Sequence, residues 1–202
     1  MLFIGITGGV GAGKTAILSY IRDHYKSRIL VADEIAHQQM EPGTLCYQTL
    51  ADMFQTEDIF LPEGGFDRLK LAKVIFSDEE KRKRLNAVVH PAVHAYVMDQ
   101  VAAERASGQI DVLILEAALL LEAGYADVCD EIWYIYTSKE NRMKRLMDSR
   151  GYTKEKSESI MASQLSEAEF RKHCSVVIDN NGSHEESFLQ IDQALLARGI
   201  TK

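Results

Sequence analysis

A lysine and a threonine close a glycine-spaced run near the start of the chain. Gly8-Gly9-Val10-Gly11-Ala12-Gly13-Lys14-Thr15 fits the pattern G-x-x-x-x-G-K-[ST]. Glycines at this spacing let a backbone turn tightly and bring several N–H groups close to phosphate oxygens. A helix starting there adds its partial positive charge. In that arrangement Lys14 reaches the β and γ phosphates and the Thr15 hydroxyl holds Mg²⁺. The flanks agree: Leu2-Phe3-Ile4-Gly5-Ile6 is an apolar strand-like run, and Ala16 to Ile21 continues as a helix. Strand, glycine loop and helix together predict a site for a nucleoside triphosphate.

Other residues must choose the chemistry, and in an open parallel sheet they gather at the carboxyl ends of the strands. Asp33 follows the strand-like Arg28-Ile29-Leu30-Val31-Ala32. If that strand lies beside the first, the Asp33 carboxylate faces the γ-phosphate and accepts a hydroxyl proton. Equally, Asp33 serves as the N-cap of a helix from Glu34. Glu116 closes the run Val112-Leu113-Ile114-Leu115, where an acid holds Mg²⁺ through water, contacts substrate, or makes a structural hydrogen bond. Glu122 follows Leu119-Leu120-Leu121 and suits solvent as well. Arg142, Lys144, Arg145 and Arg150 form a basic cluster; Arg142 and Arg145, three apart, share one helix face that can clamp a phosphoryl group. His90 and His94 lie four apart with no third ligand beside them, so they are read as ordinary helix residues rather than a metal pair.

The elements that position these residues alternate between strand-like and helix-like segments, which predicts an α/β fold with a parallel sheet. Strands are expected at 2–6, 28–32, 112–115, 131–136 and 175–179. Helices are expected at 34–40, 45–54 and 69–76, then in a long stretch after Ser77-Asp78-Glu79-Glu80 that breaks or restarts at His90-Pro91. Further helices are expected at 139–148, from Thr153 through Leu165, and at 184–197. The expected architecture is a single three-layer P-loop domain, similar to nucleoside monophosphate kinases. It has a five-stranded parallel sheet, a helical substrate-side insertion at about 40–108 and a lid at about 139–165.

A length of 202 residues suits one such core, and the net charge of −7 argues against a general nucleic-acid surface. Cys46, Cys129 and Cys174 are odd in number and lack metal spacing, which points to a reducing compartment. The longest apolar run, Ile110 to Leu121, contains Asp111 and Glu116 and is too short to span a bilayer. With the first strand beginning next to Met1, no cleavable signal is expected. These features predict a cytoplasmic protein without nucleic-acid or membrane partners, a monomer or weak homo-oligomer.

Taken together, the pieces resemble the dephospho-coenzyme A kinase family over nearly the whole chain. Ile6 to Thr15 is similar to that family's T-G-G-I-G-S-G-K-S. Ala32-Asp33-Glu34-Ile35-Ala36 with Glu41-Pro42-Gly43 resembles its D-A-D-x-I-A-R and following P-G. Asp67-Arg68-Leu69 with Val74-Ile75-Phe76, and Leu85 to Pro91, resemble its L-x-R-x-x-L…V-F and L-x-x-x-x-H-P segments. Leu119 to Glu122 and Val177 to Gly182 resemble its P-L-L-x-E and V-I-D-N-x-G.

The resemblance implies phosphate transfer from ATP, with Mg²⁺, to the ribose 3′-hydroxyl of dephospho-coenzyme A. It implies that Gly9, Gly11, Ala12, Gly13, Lys14, Thr15 and Ala16 hold ATP, with Asn180 near the adenine. It makes Asp33 the base and Arg145 the lid arginine facing the phosphates. It places His90 and Arg68 in the substrate-side helical region, as structural support rather than chemical groups, and His90, Glu116 and Leu119 beside the substrate. Four positions depart from the pattern: Val31 for the first Asp of D-A-D, His37 for Arg, Ala118 for the proline of P-L-L, and Ser149-Arg150-Gly151 for R-D-G. The rival readings are another small-metabolite kinase of this fold, or a nucleotide-binding regulator without transfer chemistry. A GTPase switch is disfavoured because no N-K-x-D motif occurs.

Overall fold

Three strands with almost uninterrupted apolar sequence form the centre of the sheet: β1 (Leu2–Thr7), β3 (Val112–Glu116) and β4 (Glu131–Tyr136). Central parallel strands are covered on both faces, and accordingly Phe3, Ile4, Leu113, Ile114, Trp133 and Ile135 have no exposed surface. β2 (Ser27–Val31) and β5 (Val176–Asp179) are the edges and are more exposed. The order is β2-β3-β1-β4-β5, all parallel. β1 pairs with β3 so that Ile6 lies opposite Glu116, and with β4 so that Thr7 lies opposite Tyr134.

The computed structural model describes residues Met1–Lys202. Two compact units emerge, one of Met1–Leu30 with Glu104–Lys202, the other of Val31–Ala103. In the first, α1 (Lys14–His24) and α9 (His184–Leu196) cover the sheet, and Ile17, Ile21, Ile191 and Leu195 join Ile4, Ile6, Trp133 and Ile135 in one core. α9 starts at a reciprocal cap: Ser183 Oγ accepts from the Glu186 N–H, and the Glu186 carboxylate accepts from the Ser183 N–H. The same unit carries α6 (Lys139–Arg150), α7 (Lys154–Ala162) and α8 (Glu167–His173).

The second unit contains α2 (Ala32–Gln39), α3 (Leu45–Met53), α4 (Arg68–Ser77) and most of α5 (Glu79–Ser107). Asp67 caps α4 through the Leu69 and Lys70 N–H groups, and Asp78 accepts from Glu80 and Lys81 at the head of α5.

Four expectations are corrected. β2 is not the neighbour of β1, because β3 is inserted between them; sequence order alone does not set spatial order in a crossover sheet. β2 ends at Val31, and Asp33 lies in the first turn of α2 rather than at a strand end or an N-cap. Val31 holds the N-cap position with no side-chain hydrogen bond, which leaves the Asp33 carboxylate uncommitted to capping. α5 does not break at His90-Pro91: it runs 29 residues with Pro91 inside. A buried stripe of Leu85, Val89, Val93, Val97 and Val101 continues on both sides of the proline, so packing outweighs the one lost N–H. Finally, the helix expected from Thr153 to Leu165 stops at Ala162, and Ser166, accepting from the Glu169 N–H, starts α8.

All three cysteines are free. Burial raises the thiol of Cys46, pushes that of Cys174 up to about 11 and that of Cys129 up to about 12. Raised values mean less thiolate, the reactive form, at neutral pH. At pH 8 the folded chain should react with dithionitrobenzoate at least about tenfold more slowly than the chain in urea. Rapid labelling of a thiol in the folded protein would contradict this account of its burial.

Candidate active site

Three side chains converge on one carbonyl of the loop between β1 and α1. The Ala12 oxygen accepts from Thr137 Oγ1 at 3.0 Å, Arg145 Nη1 at 3.1 Å and Asn180 Nδ2 at 2.7 Å. The carbonyl and the following N–H of a trans peptide point opposite ways, so anchoring this oxygen turns the Gly13 N–H to the other side of the loop. Gly13 caps α1 in the left-handed region, φ 86°, and a Cβ there would lie 2.5 Å from Asn180 Nδ2. Only glycine meets both demands at that position.

Each of the three donors is itself tied down. Asn180, 1% exposed, follows β5 directly; its N–H bonds the Tyr136 carbonyl and its Oδ1 accepts from Ser187 Oγ of α9 at 2.8 Å. Thr137 follows β4, and its hydroxyl, while donating to Ala12, accepts from Arg145 Nη1 at 3.3 Å. Arg145 Nη2 donates to the Asn180 carbonyl at 2.8 Å. Ser138 caps α6 by accepting from the Asn141 N–H, while its own N–H donates to Asn181 Oδ1 at 2.8 Å. The start of α6 is thereby fixed to the β5–α9 turn, which aims Arg142 and Arg145 at the loop.

Charge is arranged on the opposite flank. Lys14 Nζ donates to the Gly8 carbonyl at 2.9 Å and lies 3.4 Å from Glu116 Oε1. The two side chains are 15% and 16% exposed. Parallel pairing of Ile6 with Glu116 puts the end of β3 beside the loop and makes this ion pair possible.

The structure brings Gly9, Gly11, Ala12, Gly13, Lys14, Glu116, Arg145 and Asn180 into this one assembly. Thr15 is exposed in the first turn of α1, and the Ala16 N–H closes that turn on the Gly13 carbonyl. Leu119 is 55% exposed in the turns after β3. Asp33 and His90 belong to the second unit and are exposed there. Arg68 of that unit pairs with Glu41 at 2.9 Å. Sequence reasoning missed Thr137 and Gln164, both of which bond to the loop. Thr137 was findable, since it stands at the carboxyl end of a core strand; Gln164 lies in a connector with no periodic or motif signal.

Residues 2–186 match the family model described as dephospho-CoA kinase. The chain belongs to the dephospho-CoA kinase family. A dephospho-CoA kinase of Geobacter sulfurreducens is 37% identical over 193 residues, 96% of each chain. Among solved structures, one from Thermus thermophilus has a TM-score of 0.81 at 29% identity and covers 98% of this chain and 97% of its own. A dephospho-CoA kinase from Campylobacter jejuni has a TM-score of 0.71 at 22% identity, with 98% of each chain covered, and shows the shared fold. Membership of the family rests on nearly the full length, not on the phosphate loop alone. No helix is long and apolar enough to cross a membrane.

Gly13→Ala places a Cβ against Asn180 and forces an L-residue into the left-handed region, so it should destabilise the fold by more than about 1 kcal/mol. It should also weaken binding of a fluorescent ATP analogue at least about tenfold. Urea denaturation and a binding titration measure the two effects, and wild-type values in both would remove the special role given to Gly13.

Proposed function

We propose that this chain transfers the γ-phosphoryl group of ATP to the 3′-hydroxyl of dephospho-coenzyme A, giving coenzyme A and ADP. The observation that carries the choice of acceptor is the family match across residues 2–186. The phosphate-donor half rests on the loop geometry: a glycine turn, the Ala12 anchor, and an ammonium group at the head of α1.

Phosphoryl transfer needs little covalent participation from a protein; positioning and charge stabilisation dominate. Lys14 is proposed to leave the Gly8 carbonyl and Glu116 for the β and γ phosphates. Arg145 is proposed to place positive charge beside the phosphates while it holds the loop, and Asn180 to border the adenine. The Thr15 hydroxyl and Glu116 carboxylate are hard oxygen donors, at the head of α1 and the end of β3, and that donor chemistry fits Mg²⁺. When bound, Mg²⁺ supplies neutralisation of phosphate charge.

Asp33 is proposed as the base that takes or guides the 3′-hydroxyl proton. Its support is the motif Ala32-Asp33-Glu34-Ile35-Ala36, with an exposed carboxylate that no cap consumes. His90 and Leu119 are proposed to border the acceptor.

An ADP-release assay with ATP, Mg²⁺ and dephospho-coenzyme A should give turnover and a product one phosphate heavier by mass. AMP, CMP and pantothenate should give none. Turnover with one of those acceptors instead would move the assignment to another kinase of this fold. Asp33→Asn should lower turnover by about 10²-fold or more while ATP affinity stays within about twofold. An equal loss of ATP binding would assign Asp33 a structural role.

A further inference from the structure

Arg142 is a half-buried cation with no carboxylate partner. Its Nε donates to the Val10 carbonyl at 2.9 Å and its Nη2 to Gln164 Oε1, while Nη1 carries no protein acceptor. Its guanidinium lies flat against the glycine loop, where a Cβ on Gly9 would come within 2.2 Å of Arg142 Cζ. Gln164 Oε1 also accepts from the Val10 N–H at 3.1 Å. Two donors converge on this one atom, so it is the amide oxygen and not the nitrogen. One glutamine side chain thus joins the apex of the phosphate loop to Arg142.

A desolvated cation is unfavourable unless an anion compensates it. Here burial lowers the Arg142 pKa, and no carboxylate pairs with it to offset that cost. The other arginines of the cluster are engaged differently: Arg145 is bound to the carbonyls of Ala12 and Asn180, and Arg150 is exposed at the end of α6. Arg142 shares the lack of an acid partner with Arg145, but it alone of the two lies over Gly9 and is held there by Gln164, with Nη1 to spare beside the loop that receives phosphate.

We propose that Arg142 is a phosphate-binding residue of this site and that Gln164 is its positioning residue. Gln164 holds the guanidinium over Gly9 with a neutral acceptor, so the positive charge stays available for the polyphosphate. A carboxylate in its place would grip Arg142 as firmly and cancel that charge. This assignment rests on the reading of the site as one for ATP.

The test is ATP binding without acceptor, followed by a fluorescent ATP analogue, with thermal midpoints and the KM for ATP measured alongside. Arg142→Gln should weaken ATP about tenfold, and Arg142→Lys should recover part of the loss. Gln164→Met should weaken ATP by leaving Arg142 unaimed. Gln164→Glu is the deciding variant: it should fold with an unchanged or higher midpoint yet raise the KM for ATP about tenfold. A purely structural acceptor would be rescued by Glu, so wild-type ATP affinity in Gln164→Glu overturns the proposal. Affinity within twofold of wild type in Arg142→Gln overturns it as well. Failure of the wild-type chain itself to bind ATP would instead sink the kinase reading on which the proposal stands.

Discussion

A glycine loop can receive phosphate only when its amides are turned toward one hollow, and glycines do not hold such a shape unaided. Their freedom of rotation makes the shape accessible and also makes it entropically costly to keep. In this chain the constraint is met at the Ala12 carbonyl, where Thr137, Arg145 and Asn180 converge from the ends of β4 and β5 and from α6. Each donor is anchored further: Asn180 by Tyr136 and Ser187, Arg145 by the Asn180 carbonyl, and Thr137 by a hydrogen bond accepted from Arg145. The loop geometry therefore depends on the correct stacking of β1, β4 and β5, since a slip in register would withdraw the donors together.

The electrostatics follow from the same sheet. Parallel pairing brings Glu116 to the Lys14 ammonium, and α6 lays a guanidinium on the opposite side of the loop. Both cations are held by weak or neutral partners: Lys14 by a carbonyl and an acid at 3.4 Å, Arg142 by a carbonyl and an amide. Arg142 can therefore turn to a phosphate without breaking an ion pair, whereas Lys14 exchanges its pairing with Glu116 for one with phosphate, so its charge stays compensated.

The helical unit solves a different problem. Its longest element, α5, carries an internal proline that local propensity would treat as a break, yet the valine stripe every fourth residue keeps it whole. Its other helices begin at side-chain caps, Thr44 for α3 and Asp67 for α4, which fixes where the intervening turns lie. The exception is α2, which starts at Val31 without such a cap. Asp33, in the first turn of that uncapped helix, thus keeps a carboxylate for other use.

Much of this was legible in the residues themselves. The phosphate loop could be read because its glycine, lysine and threonine spacing reports a local backbone shape. The core strands could be read because burial on both faces demands a continuous apolar run, as in Val112-Leu113-Ile114-Leu115. The family could be read because its signatures recur in order along the chain. What the residues did not determine was spatial order and long-range partnership. β3 lies between β1 and β2, although sequence order suggested otherwise, because crossover length does not say how many strand positions a connection skips. The roles of Thr137 and Gln164 as loop partners arise from hydrogen bonds across 125 and 154 residues of sequence. Such bonds leave no periodicity behind, because they depend on where two distant backbones meet. Local chemistry was written in the sequence; which groups share a carbonyl or a charge was decided only by the tertiary fold.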